Sequence, residues 1–288
     1  MDVGLWSGSL LRVAACFVQA VLYIASLYVW NSPFNRDHPS TIKRRFISAL
    51  SMMVISPFFV YFFSSGTLLN KVSFCHLLGL RLDGLLNAVV VPLLLTSVLF
   101  LGPIAMALHA LSPRQVITYP SLFLPDVCNI FWLRNHVVAP LSEEFTFRAC
   151  MMPLLLQSFS PMTSIFFCPI PFGVAHFHHM IERIYTGVPF KNAFLLSMFQ
   201  FCYTTVFGIY SAFLFYRTGH IVAPFIVHAF CNLMGFPDIA GLMALEKPLK
   251  TKMLSLLVGG LVVWAVLLVP LTSPALYENQ FIWTQVDS

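Results

Sequence analysis

Apolar segments long enough to cross a lipid bilayer recur along the whole chain and constrain its fold more than any other feature. About 20 apolar residues span the hydrocarbon core as an α-helix, which satisfies its own backbone hydrogen bonds. Eight candidate segments occur, the fourth, fifth and seventh being short or rich in polar groups: residues 10–30, 46–69, 85–110, 140–157, 161–178, 192–216, 220–236 and 253–273. The sequence therefore predicts an all-α membrane protein of about eight transmembrane helices, forming a single integral membrane domain over residues 1–288.

The composition agrees with a protein whose main solvent is lipid. Hydrophobic residues make up 58% of the chain and charged residues 9%, against about 45–50% and about 25% in soluble domains. The net charge of +5 does not indicate nucleic acid, because the lysines and arginines lie in short clusters between apolar runs. The seven scattered cysteines include no Cys-x-x-Cys pair, which argues against a disulfide framework and a cysteine-based zinc site.

The distribution of lysines and arginines predicts the orientation, since basic residues concentrate in cytosolic loops. If all eight segments cross the membrane, the odd-numbered loops carry eleven of these residues and the opposite side carries four. The odd-numbered loops are therefore predicted to be cytosolic, with both termini on the far side. Residues 118–137, which precede the fourth segment, are predicted to form an interfacial or re-entrant segment.

Ionisable and amide side chains from three segments are predicted to meet near the cytosolic surface. Glu143 and Glu144 enter near the cytosolic end of the fourth segment, and His176 lies near that end of the fifth. In the seventh segment Asn232 lies near the same side, with His228 about 6 Å deeper at 1.5 Å per helical residue. Because ionisable groups inside membranes are usually functional, the sequence predicts a polar chamber open to the cytosol.

Two adjacent glutamates are predicted to have different roles. On a helix Glu143 and Glu144 point about 100° apart, while Glu144 and Arg148 are four residues apart and can form an ion pair on one face. Glu143 is then left to face the chamber, where a poorly solvated carboxylate can take a proton from water. The alternative is a pair of solvated glutamates at the start of an interfacial helix, stabilised by its dipole.

The histidines fall into two groups. His176 lies within an apolar run and follows Gly173, a residue that permits close approach of a backbone or substrate, and we interpret it as functional. His178 and His179 adjoin a basic loop and are predicted to be interfacial polar groups.

His228 and Asn232 are four residues apart, on one face of a helix. Two donors at this spacing can jointly hold a developing oxyanion, or form a polar contact between helices. Two histidines and a glutamate also suffice to bind catalytic zinc. However, a His-Glu-x-x-His motif is absent, so we predict a metal-independent reaction without a cofactor and keep zinc as the alternative.

Three short motifs occur in a fixed order within residues 140–235: Glu143-Glu144-x-x-x-Arg148, Phe172-x-x-x-His176 and His228-x-x-x-Asn232. Through these motifs the chain resembles the type II CAAX prenyl endopeptidases, which belong to the CAAX protease and bacteriocin-processing group. Each motif is weak alone, but the three together on successive membrane segments are specific.

The resemblance implies a multi-pass enzyme of the endoplasmic reticulum membrane with its active site facing the cytosol. Its substrates would be farnesylated or geranylgeranylated CAAX proteins such as Ras-like small GTPases, cut after the prenylated cysteine to release the last three residues. By motif position, the implied roles are water activation by Glu143 and His176, oxyanion stabilisation by His228 and Asn232, and support by Glu144 and Arg148. A non-enzymatic chaperone or carrier with the same fold is the rival hypothesis.

Overall fold

A computed structural model describes residues 3–110 and 127–279, and within these ranges the secondary structure is helical, without a β-strand. The α-helices are α1 (Val3–Tyr28), α2 (Pro39–Phe63), α3 (Gly66–Lys71), α4 (Phe74–Leu77), α5 (Leu85–Leu99), α6 (Leu101–Ala110), α7 (Ile130–Leu133), α8 (Ala139–Glu144), α9 (Met152–Leu156), α10 (Pro161–Phe167), α11 (Pro169–Ala175), α12 (His178–Tyr185), α13 (Phe190–Thr218), α14 (Val222–Met234), α15 (Ile239–Ala244) and α16 (Leu249–Leu271). The all-helical architecture predicted from the apolar segments is confirmed.

Four helices of the described ranges are long and apolar enough to cross a membrane, namely α1, α2, α13 and α16. A fifth crossing results if α5 and α6, which meet at an angle of 74°, count as one bent span. The bend has a local cause, because the ring of Pro103 cannot be accommodated next to the carbonyl of Leu99, four residues earlier in a continuous helix. These helices coincide with the predicted first, second, third, sixth and eighth segments.

The prediction of eight crossings is not confirmed by the described residues. The predicted fourth, fifth and seventh segments fall on shorter helices, α8 to α11 and α14. In the fourth segment the helices are short because the π-helical turn Phe145–Cys150 lies between them. A proline also stands in the first two positions of each of α8, α9, α10 and α11. Proline lacks the backbone N–H that a continuing helix needs and is favoured in a first turn.

Two π-helical turns, Arg134–Val138 and Phe145–Cys150, join α7, α8 and α9. The joining residues keep right-handed helical dihedrals, so the chain advances as one rod from Ile130 to Leu156. π-helical turns are rare and often occur at functional sites, and these two flank the glutamate pair. Of the predicted interfacial segment 118–137, residues 118–126 lie outside the described residues.

The rod is enclosed by protein, whereas the long helices expose apolar side chains. Residues 144–156 are all buried, and the rod packs against α1, α2 and α13. By contrast, α16 exposes Val258, Val262 and Val266 on its outer face. Because the charged groups of the rod face other helices instead of lipid, placing them at this depth is tolerated.

Candidate active site

A cavity of about 180 Å³ opens beside the rod, and Glu143 and His176 both line it. Its apolar wall includes Phe147 of the second π-helical turn and Phe172 of α11. The Phe147 ring packs edge to face against the rings of Phe172, with centres 5.2 Å apart, and Tyr23, with centres 5.5 Å apart. The structure thus brings together two predicted site residues, from separate parts of the chain, at one cavity.

Glu144 does not face this cavity and is instead the centre of a buried network. Its Oε1 accepts hydrogen bonds from Nη1 of Arg148 at 3.2 Å and from Nδ1 of His228 at 2.7 Å. Its Oε2 accepts a short hydrogen bond from the hydroxyl of Ser211. The Glu144 and Arg148 side chains are both fully buried, so the ion pair predicted from their spacing is present and ties the rod to α13 and α14.

Arg148 is held in place by more than this carboxylate. Its guanidinium carbon lies 4.3 Å from the centre of the Phe172 ring, a cation–π contact. A Cβ at Gly208 of α13 would lie 2.9 Å from Nη2 of Arg148 and 2.6 Å from Pro169. The absence of a side chain at Gly208 therefore lets α13 approach closely enough to enclose the ion pair.

Glu143 is placed as the sequence predicts for a group that faces solvent-filled space. Its side chain is 21% exposed, while that of Glu144 is 0% exposed. Its Oε2 lies 3.8 Å from Nε2 of His228, a distance too long for a hydrogen bond. Glu143 therefore keeps carboxylate lone pairs available towards the cavity.

The His176 ring is fixed by a single backbone contact. Its Nδ1 lies 2.8 Å from the carbonyl oxygen of Phe172, one turn earlier. A carbonyl can only accept, so Nδ1 carries the hydrogen and a neutral ring has its free lone pair on Nε2. His176 is thereby oriented as a proton acceptor at the cavity. Gly173, in the same helix, makes its close approach to Thr205 of α13.

His228 bridges the two glutamates instead of pairing with Asn232. Nδ1 of His228 donates to Glu144, and Nε2 points towards Glu143. The amide nitrogen of Asn232 donates to the carbonyl oxygen of Asn135 at 2.8 Å. Asn232 is not among the residues that line the cavity, whereas Asn135 is. The structure therefore brings His228 to the predicted pair but places Asn232 behind Asn135.

Some residues of the site were not identified from the sequence. The hydroxyl of Tyr23 in α1 forms a buried hydrogen bond of 2.9 Å with that of Ser142, next to Glu143. Tyr23 also lines the cavity, so the first apolar segment contributes to the site. A lone tyrosine in an apolar run gives a weak signal. Asn135 lies in the first π-helical turn, eight residues before Glu143, and no motif in the sequence marks it.

Three arginines line the same cavity, and we call Arg36, Arg45 and Arg134 the arginine rim. In the sequence, these arginines indicate only the orientation of the loops. Glu182 of α12 accepts hydrogen bonds from Arg45 at 3.0 Å and Arg36 at 3.3 Å. It also accepts from the Tyr28 hydroxyl at 2.7 Å. Burial alone would raise the pKa of Glu182, but the hydrogen bonds that its carboxylate accepts outweigh burial and hold the pKa well below its ordinary value.

Within the described ranges, no group of three histidine, cysteine or acidic side chains that includes Glu143 is close enough to bind one zinc ion. The candidate metal-binding group in these ranges consists of His178, His179 and Glu182, whose ligand atoms lie within 4.8 Å of one another. Glu182 is already bound by two arginines, whose positive charge would oppose a metal cation at this position. Of the two histidines predicted to be interfacial, His179 contacts Arg36 and Glu182, whereas Nδ1 of His178 lies 2.6 Å from the Ala175 carbonyl oxygen.

The chain is similar to a protein family and to several known proteins. The family profile described as "Type II CAAX prenyl endopeptidase Rce1-like" matches residues 126–234. A Homo sapiens protein named CAAX prenyl protease 2 is 44% identical and aligns over 93% of this chain and 83% of its own length. Proteins of that name from Rattus norvegicus (40% identical, 93% and 82%) and Arabidopsis thaliana (36% identical, 93% and 92%) also match. No solved structure matches significantly. The range matched by the family profile contains all three motifs.

Proposed function

This chain belongs to the type II CAAX prenyl endopeptidase family and is a CAAX endopeptidase, and we propose that it cuts its substrates at the cavity beside Glu143. The substrates would be farnesylated or geranylgeranylated CAAX proteins, from which the enzyme releases the last three residues. The observation that carries the assignment of the site is the presence of Glu143 and His176 on one cavity, with the Glu143 carboxylate 3.8 Å from His228 and the Nε2 lone pair of His176 left free by the Phe172 carbonyl. The chain is an enzyme, so the carrier hypothesis is not retained.

In the proposed reaction, water attacks the carbonyl carbon of the peptide bond that follows the prenylated cysteine. Glu143 or Nε2 of His176 accepts a proton from the water as its oxygen forms the new bond. The same proton then passes to the leaving nitrogen, the carbon–nitrogen bond breaks, and the tripeptide departs with a free amino group. The Phe172 carbonyl keeps the His176 lone pair on Nε2 throughout.

His228 is proposed to stabilise the oxyanion through its second nitrogen. Nδ1 of His228 donates to Glu144, and Nε2 is the nitrogen on the side of Glu143. With a hydrogen on Nε2, the ring would donate to the developing negative oxygen. The role of Asn232 in the oxyanion site stays a prediction, and would require its amide to release the carbonyl of Asn135.

The membrane arrangement completes the proposal. The short helices α8 to α11 and α14 would provide the remaining crossings of an eight-span protein in the endoplasmic reticulum. The cavity would form the polar chamber, open to the cytosol. A prenyl chain, at about 0.8 kcal/mol for each buried methylene, would hold the tails of Ras-like proteins in the bilayer beside it. No metal takes part in this proposal.

The test is cleavage of a fluorogenic farnesylated CAAX peptide by the purified protein and by its Glu143→Gln variant. Glutamine keeps the shape of the side chain but cannot accept a proton at neutral pH, so we expect kcat to fall by at least about 100-fold. Glu246→Gln is the matched control, because Glu246 is an exposed glutamate far from the cavity lining. An unprenylated peptide tests the need for the lipid.

Each outcome bears on a different part of the proposal. Farnesyl-dependent release of the tripeptide that is lost in Glu143→Gln and retained in Glu246→Gln supports both the substrate and the site. Cleavage that survives in Glu143→Gln would show that this carboxylate is not required, and equal cleavage of the unprenylated peptide would refute the role of the lipid.

A further inference from the structure

The arginine rim carries more positive charge than its acidic neighbours neutralise. Arg36 and Arg45 contact Glu182, and Nη1 of Arg134 contacts Asp37 at 2.7 Å. Three guanidinium groups thus face two carboxylates. The resulting positive charge borders the cavity that contains the proposed site.

Arg45 has unused hydrogen-bonding capacity at this position. Its Nη2 donates to Glu182 at 3.0 Å, and its Nε is buried without a hydrogen-bond partner in the described part of the chain. A buried unpaired donor is costly and favours a ligand that can accept from it. A guanidinium binds a carboxylate with two parallel hydrogen bonds, a geometry that no single neutral acceptor reproduces.

The distance from the reacting groups to the rim matches the part of the substrate that is released. In α1, Tyr23 contacts Ser142, the neighbour of Glu143, while Tyr28 contacts Glu182, which binds Arg45. The two tyrosines are five positions apart in the helix, a rise of about 7.5 Å. A peptide of three residues reaches at most about 10 Å when extended. A tripeptide whose first bond lies at Glu143 can therefore place its last atoms at the rim.

We propose that the arginine rim, with Arg45 as the main ligand, binds the free C-terminal carboxylate of the substrate and thereby sets the cut three residues from the end. This inference rests on the proposed location of the active site at the same cavity. The distance from the rim to Glu143 then selects the bond that is cut. The rim binds the terminal carboxylate, and the peptide bond three residues away reaches Glu143. A charged terminus at the membrane boundary also avoids the expense of burying it in lipid.

The test compares two farnesylated peptides of one sequence, one ending in a carboxylate and one in a carboxamide. For the purified wild-type protein we expect kcat/KM to be roughly 10- to 100-fold higher for the carboxylate, the range for one charged hydrogen-bonding partner. In Arg45→Gln this ratio should fall to near one, with Arg45→Lys between the two. Arg44→Gln is the matched control, because the adjacent Arg44 bonds only to the Asn31 carbonyl among described partners and does not line the cavity.

The wild-type comparison needs no substitution, so a variant that fails to fold leaves the test intact. Equal cleavage of both peptides by the wild-type protein, with activity still lost in Glu143→Gln, would overturn the carboxylate subsite while the proposed site stands. Cleavage of neither peptide would refute the proposed function and this inference together. An unchanged preference in folded Arg45→Gln would overturn the assignment to Arg45.

Discussion

Replacing Glu144 by glutamine should destabilise the protein because it leaves a buried positive charge without its counter-ion. Glutamine keeps the shape and one carbonyl oxygen, so the change isolates the charge. Arg148 is fully buried, and its Nε and Nη2 already lack hydrogen-bond partners in the described structure. Removing one member of a buried ion pair typically costs about 3–5 kcal/mol. At about 2–4 °C for each kcal/mol in chains of this size class, Tm should fall by roughly 6–20 °C.

The assay is thermal unfolding of the detergent-purified protein, followed by the fraction that remains monodisperse after heating. Glu143→Gln is the internal control, since the partly exposed Glu143 lies 3.8 Å from His228, beyond hydrogen-bonding distance. It should change stability by less than about 0.5 kcal/mol although activity is lost. A Tm for Glu144→Gln within 1 °C of the wild type, on the order of measurement error, would refute the reasoning.

A double variant separates the charge from the packing. Arg148→Met removes the unpaired guanidinium and fills most of its volume, so Glu144→Gln combined with Arg148→Met should be more stable than Glu144→Gln alone. If the two substitutions simply add, the pair is not coupled and the stability of the rod must come from its apolar contacts.

Further outcomes concern the neighbouring helices and the chemistry. Gly173→Ala should lower kcat about tenfold, an order of magnitude expected when a reacting group is misplaced, because the new methyl group would meet the Thr205 hydroxyl and displace the helix that holds His176; unchanged kcat in a folded variant would contradict this. Asn232→Ala should lower kcat more than it changes KM if the amide reaches the oxyanion, whereas equal kinetics would limit its role to binding Asn135. Incubation with a metal chelator should leave peptide cleavage unaltered, and loss of activity that added zinc restores would contradict the metal-independent reaction.

The ion pair and the helix class were predictable because they depend on local spacing. Glu144 and Arg148 are four residues apart on one helical face, so the sequence alone indicates their contact. The apolar segments likewise predict helices wherever the chain lacks interruption, as in α1 and α13, which contain no internal proline. The number of crossings was less predictable, because hydropathy counts a segment as one unit even where a π-helical turn or another turn divides it into two shorter helices.

The partners of the site residues were decided by tertiary structure. Spacing predicted that His228 and Asn232 act together, yet contacts from other helices direct His228 to Glu144 and Asn232 to Asn135. In the sequence, the arginines of the rim indicated only which loops are cytosolic. Packing of the helices places them at the cavity.

The sequence by itself determined that the chain is helical, that its ionisable residues cluster in three motifs, and that Glu144 would pair with Arg148. Local periodicity fixes these properties because they involve residues within one turn of a helix. The tertiary structure alone decided that His228 binds Glu144 and that Asn232 binds Asn135. It also decided that residues of α1 and α2 complete the site. Those properties depend on distances between helices that are far apart in sequence, and spacing within one helix carries no information about them.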